Sequence, residues 1–109
     1  VRLEVRGAER RLAPAVEIAL FRVLQEALNN VWKHSGVRKA AVALYTHRDR
    51  VRLVVYDRGK GFDPGALPPD SFGLAGMRER VQFLGGNWWV KSRPGRGTQG
   101  GAEIPLPTD

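Results

Sequence analysis

The stretch that most limits what this chain can fold into runs from Pro14 to about Ser35. Val16, Leu20, Val23, Leu24, Ala27, Leu28 and Val31 recur there at three- and four-residue spacing, the signature of an amphipathic helix. Pro14 suits the first helical turn, where a missing N–H costs nothing, and Gly36 is a plausible terminator. About 22 residues of helix would be roughly 33 Å long, enough to span a domain. The chain has 109 residues, which is one domain, so everything else must pack along that helix. Its 42% apolar and 27% charged content is ordinary for a globular protein.

The flanking segments read as strands. Val1, Leu3 and Val5 alternate with Arg2, Glu4 and Arg6, a short half-buried strand, and residues 7–13 are a turn and lead-in. Val37 to Thr46 and Val51 to Tyr56 are two strands joined by His47-Arg48-Asp49-Arg50, an antiparallel hairpin with His47 on the surface. Residues 63–72 hold three prolines and a glycine, which excludes regular structure; this is either a surface loop or a lid over a site. Gly73 to Leu84 is a second helix with Leu74, Met77, Val81 and Leu84 on its apolar face, ended by Gly85-Gly86. Asn87 to Ser92 is a strand whose Trp88 and Trp89 point to opposite faces, one in the core and the other exposed or covering a sheet face. After the tight turn Arg93-Pro94-Gly95-Arg96-Gly97 comes a last strand, Thr98 to Leu106. Its Gly100-Gly101 pair predicts a bulge or an edge. The order β-α-β-β-α-β-β predicts an α/β (α+β) two-layer sandwich, a sheet with both helices on one face.

Three segments carry polar chemistry. Glu26, Asn30, Lys33 and His34 lie at i, i+4, i+7 and i+8, one stripe of the long helix. The stripe is either a solvent face or a set of ligand groups: a carboxylate, a carboxamide and a cation. Adjacent asparagines, Asn29 and Asn30, are locally unfavourable mid-helix. Asp57-Arg58-Gly59-Lys60-Gly61-Phe62 follows an alternating apolar run, so a strand delivers one carboxylate to a permissive backbone. The start of the second helix, rich in small residues, leaves N–H groups open to an anion or simply packs. The net charge of +7 fits a polyanion partner or a solvated basic surface; the cations are dispersed, unlike the clustered footprint of nucleic-acid binders, so no direct nucleic-acid partner is expected. There is no cysteine, hence no disulfide or thiolate metal site. No apolar run approaches the roughly 20 residues of a membrane span.

Four segments recur in order: Gln25-Glu26-Ala27-Leu28-Asn29-Asn30, Asp57-x-Gly59-x-Gly61, Gly73-Leu74-Ala75-Gly76-Met77-Arg78-Glu79-Arg80 and Gly95-x-Gly97-Thr98. Together they resemble the ATP-binding domain of the GHKL superfamily, with the Bergerat-type fold of gyrase, MutL and the sensor histidine kinases. The pattern is most similar to the NarX, DegS and DesK type. The resemblance covers Leu3 to Pro107.

The resemblance implies ATP and Mg²⁺ as ligands. Asn30 matches the Mg²⁺-ligating position, a hard cation that keeps several waters. Asp57 matches the carboxylate that accepts the adenine amino group, with Gly59 and Gly61 letting the backbone approach the base. Lys33 would meet phosphate, His34 the sugar or base, and Gly73, Leu74, Gly76 and Met77 the phosphates through the helix start. Thr98 would support Asp57 or an adenine-bound water. Glu26 falls where gyrase-like relatives carry a general base; in a kinase it orients metal-bound water or the γ-phosphate, and it is the catalytic candidate. The reading implied is residues 1–109 as the single catalytic domain of a longer two-component kinase. No phosphoacceptor helix is present, so this segment alone binds ATP but autophosphorylates poorly. Partners would be the kinase's own dimerisation and phosphoacceptor domain and a response regulator. The segment itself would be a monomer, the full protein a homodimer, and the location cytoplasmic, in a soluble or membrane-anchored sensor. The alternative is an anti-sigma-factor serine kinase of the same fold.

Overall fold

The computed structural model describes residues 2–7, 11–34, 39–60 and 74–107, and for residues 2–3, 30–34 and 74–77 their backbone alone. The elements are β1 (Arg2–Gly7), α1 (Pro14–His34), β2 (Ala41–Thr46), β3 (Arg50–Asp57), α2 (Leu74–Phe83), β4 (Asn87–Ser92) and β5 (Thr98–Pro105). One five-stranded sheet has the order β1-β2-β3-β5-β4. β1 runs parallel to β2 and every other pair is antiparallel. Both helices cover one face: α1 packs on β3, β5 and α2, and α2 on β4 and β5. The two-layer arrangement and the β2–β3 hairpin are as the sequence predicts, with His47 exposed and its N–H donating to the Arg50 carbonyl at 2.7 Å.

α1 opens where the Ala13 carbonyl accepts the N–H groups of Val16 and Glu17 at 3.0 and 3.1 Å. Pro14 loses nothing at this first position, and Glu17 sits in the first turn, where the helix dipole favours an anion. Val16, Ala19, Leu20 and Val23 form the buried stripe, and Leu24, Ala27 and Leu28 pack against it. They meet Val42, Val51, Leu53, Val55, Ala102 and Ile104 from the sheet and Val81 from α2. Burying each large aliphatic side chain contributes about 1.5–3 kcal/mol. α2 closes with Gly85 in the left-handed region, φ 78°. The Gly86 N–H returns to the Val81 carbonyl at 3.0 Å and the Gly85 N–H to Gln82 at 2.9 Å, the paired closure of a Schellman cap.

Three expectations are corrected. β1 is not half-buried: it is an edge strand with a single neighbour, and Val5 is 63% exposed, because α1 lies over the sheet centre and not over that edge. β2 starts at Ala41 and not at Val37; Lys39 and Ala40 precede it, since the ladders to both β1 and β3 begin at Ala41. Gly36 and the loop over residues 63–72 lie outside the described residues.

The third correction concerns Gly100-Gly101. They form neither a bulge nor an edge: β5 lies between β3 and β4 and keeps unbroken register with both. Gly101 faces Trp89 across the ladder. A Cβ added there would meet the Trp89 ring at 2.7 Å and collide with the Leu53 carbonyl. Trp89 thus covers the sheet face opposite the helices, and Arg52 stacks on it, 4.8 Å from the ring centroid. Trp88 on the other face packs against the core.

Gly101→Ala forces either this indole or the β3 backbone to move. The expected cost is about 1–3 kcal/mol, the range for overpacking a close-fitted site, read as a lower unfolding midpoint with a changed tryptophan emission. An unaltered midpoint would show that Trp89 is free to swing away.

Candidate nucleotide-binding site

β3 ends, β5 begins and β4 ends at the same place. Asp57 pairs with Thr98, and Thr98 with Ser92. Alternation puts all three side chains on the helix-covered face: Asp57 follows Val51, Leu53 and Val55, Thr98 precedes Ala102 and Ile104, and Ser92 follows Trp88. Directly opposed residues hold their Cβ atoms about 4.5–5.5 Å apart, so three polar groups form a row across three strands.

Asp57 is the one buried polar or charged side chain among the described residues, 8% exposed. A carboxylate in that position needs donors. Its Oδ1 accepts the Gly59 N–H at 2.8 Å, a side-chain turn that Asp adopts readily. Gly59, also buried, therefore fixes the carboxylate through its amide. A carboxylate still has further acceptor sites, and Asp57 lines an open cleft of about 570 Å³ with Ser92, Gly97 and Thr98. That volume falls in the usual range for small-molecule sites.

The turn after β4 closes the cleft. The Gly95 N–H donates to the Lys60 carbonyl at 2.5 Å, which ties the turn to the segment after β3. Gly97 is buried and left-handed, φ 76°. A Cβ there would strike the Asp57 carbonyl and lie 3.0 Å from the Arg58 Cα. Ser92 Oγ donates to the Gly97 carbonyl at 2.9 Å and lies 2.8 Å from Thr98 Oγ1.

Cations dispersed in the sequence gather at this end. Arg58, Lys60, Lys91, Arg93 and Arg96 are all exposed on the segments that meet here. The ion pairs among the described residues lie elsewhere, between Arg6 and Glu4 and from Arg50 to Asp49 and Glu103. A cleft ringed by one sign of charge raises the local concentration of an anionic ligand.

The candidate residues divide as follows. The structure brings together Asp57, Gly59 and Thr98. Glu26 is half-buried on α1, one turn before Asn30. Asn30, Lys33 and His34 lie in the last turns of α1, and Leu74, Gly76 and Met77 in the first turn of α2, with side chains outside the described residues. Gly61 and Gly73 lie outside them altogether. Among the described residues no three His, Cys, Asp or Glu side chains cluster as a metal site, so a cation here would need ligands from water, phosphate or Asn30. Sequence reasoning passed over Ser92 and gave Gly97, quoted in the Gly95-x-Gly97-Thr98 motif, no role. The signal for Ser92 was a strand end separated by a five-residue turn from the strand start at Thr98, which sets those two side by side.

A mixed sheet with helices on one face and a buried, glycine-held carboxylate at a cationic cleft defines a nucleotide-binding domain. Residues 15–108 match the family described as histidine kinase-, DNA gyrase B-, and HSP90-like ATPase. The chain belongs to that family. It is 43% identical over 101 residues to the signal transduction histidine-protein kinase/phosphatase DegS of Bacillus subtilis, covering 90% of this chain and 26% of DegS. It is 41% identical over 95 residues to the sensor histidine kinase LiaS of Bacillus subtilis, covering 87% of this chain and 26% of LiaS. These similarities put it in the DegS-like branch of the sensor histidine kinases. The chain spans about a quarter of the length of these relatives. Two solved structures share the fold. The histidine kinase domain of a blue-light activated histidine kinase from Erythrobacter litoralis has a TM-score of 0.73 at 23% identity, over 96% of this chain and 51% of that one. The catalytic domain of histidine kinase ThkA has a TM-score of 0.74 at 20% identity, over 94% and 75%.

Gly97→Ala adds a methyl against the β3 backbone in a left-handed conformation. It is expected to cost about 1–3 kcal/mol of stability and to weaken nucleotide binding by displacing Asp57, measured by thermal melts with and without ATP. A wild-type nucleotide-induced shift in the folded variant would disprove the coupling between Gly97 and the carboxylate.

Proposed function

We propose that this chain is the catalytic, ATP-binding domain of a longer two-component sensor histidine kinase. The observation that carries the reading is Asp57: a buried carboxylate, held by the Gly59 amide, in a cleft lined also by Lys91, Arg93 and Arg96. A carboxylate presents acceptors only, so it selects a ligand edge that donates, as the adenine amino group does. Thr98 stands beside it in the ladder. Family membership and the names of the relatives at 41–43% identity support the same reading.

In this reading the adenine enters at Asp57 and the phosphates extend toward the last turns of α1 and the first turn of α2. Lys33 neutralises phosphate as a point charge, His34 lies by the sugar or base, and the α2 start, Gly73 to Met77, offers amide N–H groups to the anion. Asn30 would supply the protein ligand for Mg²⁺, whose charge would offset that of the phosphates. Glu26, one helical turn away, orients water at that end. Transfer of the γ-phosphoryl group then depends on positioning and charge neutralisation. The acceptor is a histidine on a helical dimerisation domain elsewhere in the longer protein, a homodimer, and a response regulator takes the phosphoryl group from it. No described helix is long and apolar enough to cross a membrane, in keeping with a catalytic domain on the cytoplasmic side of a sensor.

Asp57→Asn replaces one acceptor oxygen by a donor while keeping shape. Titration calorimetry is expected to show a loss of ATP affinity of about five- to 150-fold, since a mispaired buried donor costs about 1–3 kcal/mol, with the fold intact by circular dichroism. Unchanged affinity would remove Asp57 from the adenine site. Asn30→Ala is expected to weaken ATP binding in Mg²⁺ far more than in EDTA. Equal losses in the two buffers would count against a metal ligand.

A further inference from the structure

The cleft at the strand ends has two walls. Side chains alternate along a strand. Asp57, Thr98 and Ser92 point to the helix-covered face, so Tyr56, Gln99 and Lys91, their neighbours on the same three strands, point to the other. These three are in register, Tyr56 with Gln99 and Gln99 with Lys91, and all three line the cleft. Arg93 and Arg96 of the following turn line it too. The outer wall therefore carries a phenol, a carboxamide and three cations.

Charge on this face is unbalanced. The register puts two carboxylates there, Glu4 in the row of Ala43 and Val54, and Glu103 opposite Arg52. Both are matched from the same face: Glu4 pairs with Arg6, and Glu103 lies 3.5 Å from Arg50. Arg52 stacks on Trp89. Lys91, Arg93 and Arg96 are exposed, and no carboxylate among the described residues lies within ion-pair distance of them. The unmatched positive charge is concentrated on the outer wall.

We propose that the outer wall is a docking surface for an acidic segment of a partner protein, one that presents a cluster of Asp or Glu side chains. The fit is chemical as well as electrostatic. Guanidinium forks and an ammonium donate to carboxylate oxygens, and the Gln99 amide and Tyr56 hydroxyl add neutral donors beside them. A volume of about 570 Å³ holds a few side chains of such a segment. Nucleic acid fits less well. Single strands stack their bases on open aromatic faces, and Trp89, two residues before Lys91 on the same face, already carries Arg52 at 4.8 Å from its ring centroid. Three cations in one cleft are also short of the stripe that tracks a phosphate backbone. The inference does not depend on what Asp57 binds, because it uses the opposite wall.

The probe is a fluorescently labelled hexaglutamate peptide, titrated with the 109-residue chain by anisotropy, with and without saturating Mg²⁺-ATP. Lys91→Glu with Arg96→Glu should weaken the peptide about five- to tenfold, as exposed ion pairs are lost and replaced by repulsion. Arg11→Glu with Arg22→Glu reverses two exposed cations outside the cleft. It makes the same change in net charge and should keep the affinity within about twofold. Gln99→Leu alters no charge and should cost about two- to fivefold, because docking uses the carboxamide and long-range attraction does not. It also decides the question if the reversals unsettle the turn. The peptide should stay bound when Mg²⁺-ATP saturates the chain, and Asp57→Asn, on the inner wall, should still bind it.

Equal losses in the two double variants, or wild-type affinity in Gln99→Leu, reduce the effect to net charge and overturn the inference. Displacement of the peptide by Mg²⁺-ATP assigns the three cations to the nucleotide and overturns it as well. So does an oligothymidylate that binds more tightly than hexaglutamate and weakens in the same cleft variants, which makes the wall a nucleic-acid surface.

Discussion

Eight consecutive residue pairs between β3 and β5, from Arg50 with Pro105 to Asp57 with Thr98, hold the rest of the structure in place. The ladder joins the central hairpin to the last segment of the chain and closes the sheet around Val51, Leu53, Val55, Ala102 and Ile104. It also determines the site, because its last pair is Asp57 with Thr98. A slip of one residue would turn every side chain of β5 to the other face, exposing Ile104 and carrying Thr98 away from the carboxylate. Two glycines guard against that slip. Where Gly97 stands a side chain would strike the Asp57 carbonyl, and where Gly101 stands it would strike the Trp89 ring and the Leu53 carbonyl. Each marks a register position that a side chain would refuse.

The two faces of the sheet are closed by different means. On one, aliphatic side chains of α1 and α2 exclude water. On the other no helix lies among the described residues, yet Ala43 and Val54 are 2% and 3% exposed. They stand in one cross-sheet row with Gly101 and Trp89. Small residues let the indole fold inward along that row, and Arg52 covers the indole in turn. Arg52 keeps its charge in water while its stem and guanidinium shield apolar surface, as long cationic side chains do. A second contact of the kind sets Arg78 of α2 5.5 Å from the Trp88 ring centroid, linking the second helix to the edge strand β4. Trp88 Nε1 is buried without an acceptor among the described residues, and the contact with Arg78 is made through its ring.

Periodicity carried most of the fold. The α1 stripe and the alternation in β3 are local patterns that packing had no reason to override, and the Gly85 cap has a backbone requirement visible in the residue type. What failed was non-local. Nothing in residues 98–105 says that this segment inserts between β3 and β4, so Gly100-Gly101 read as a bulge or an edge when the partner of Gly101 is an indole twelve positions earlier. Val5 read as buried because alternation reports a face without reporting whether a helix reaches it. The site was legible in part for the same reason. Asp57 and Gly59 are two residues apart and form their bond locally, whereas Ser92 and Thr98 act together only after a five-residue turn brings two strands into register.

The cations follow the same logic. Along the chain they are spread evenly enough to read as a solvated surface. In the fold Arg58 and Lys60 leave β3 where Lys91, Arg93 and Arg96 flank the β4–β5 turn, and the Gly95–Lys60 hydrogen bond draws the two segments together. Charge clustering is thus a property of the sheet order β3-β5-β4, not of the sequence. Its consequence is kinetic before it is specific. Exposed cations at the cleft, three of them lining it (Lys91, Arg93 and Arg96), attract any polyphosphate and lose that advantage as salt screens them beyond about 10 Å at 0.1 M. They do not distinguish one base from another. Discrimination falls to the strand ends, where the buried Asp57 carboxylate, held by the Gly59 amide, is less reached by salt. Attraction at the rim and selection at the row are therefore separable, and they are separated by burial.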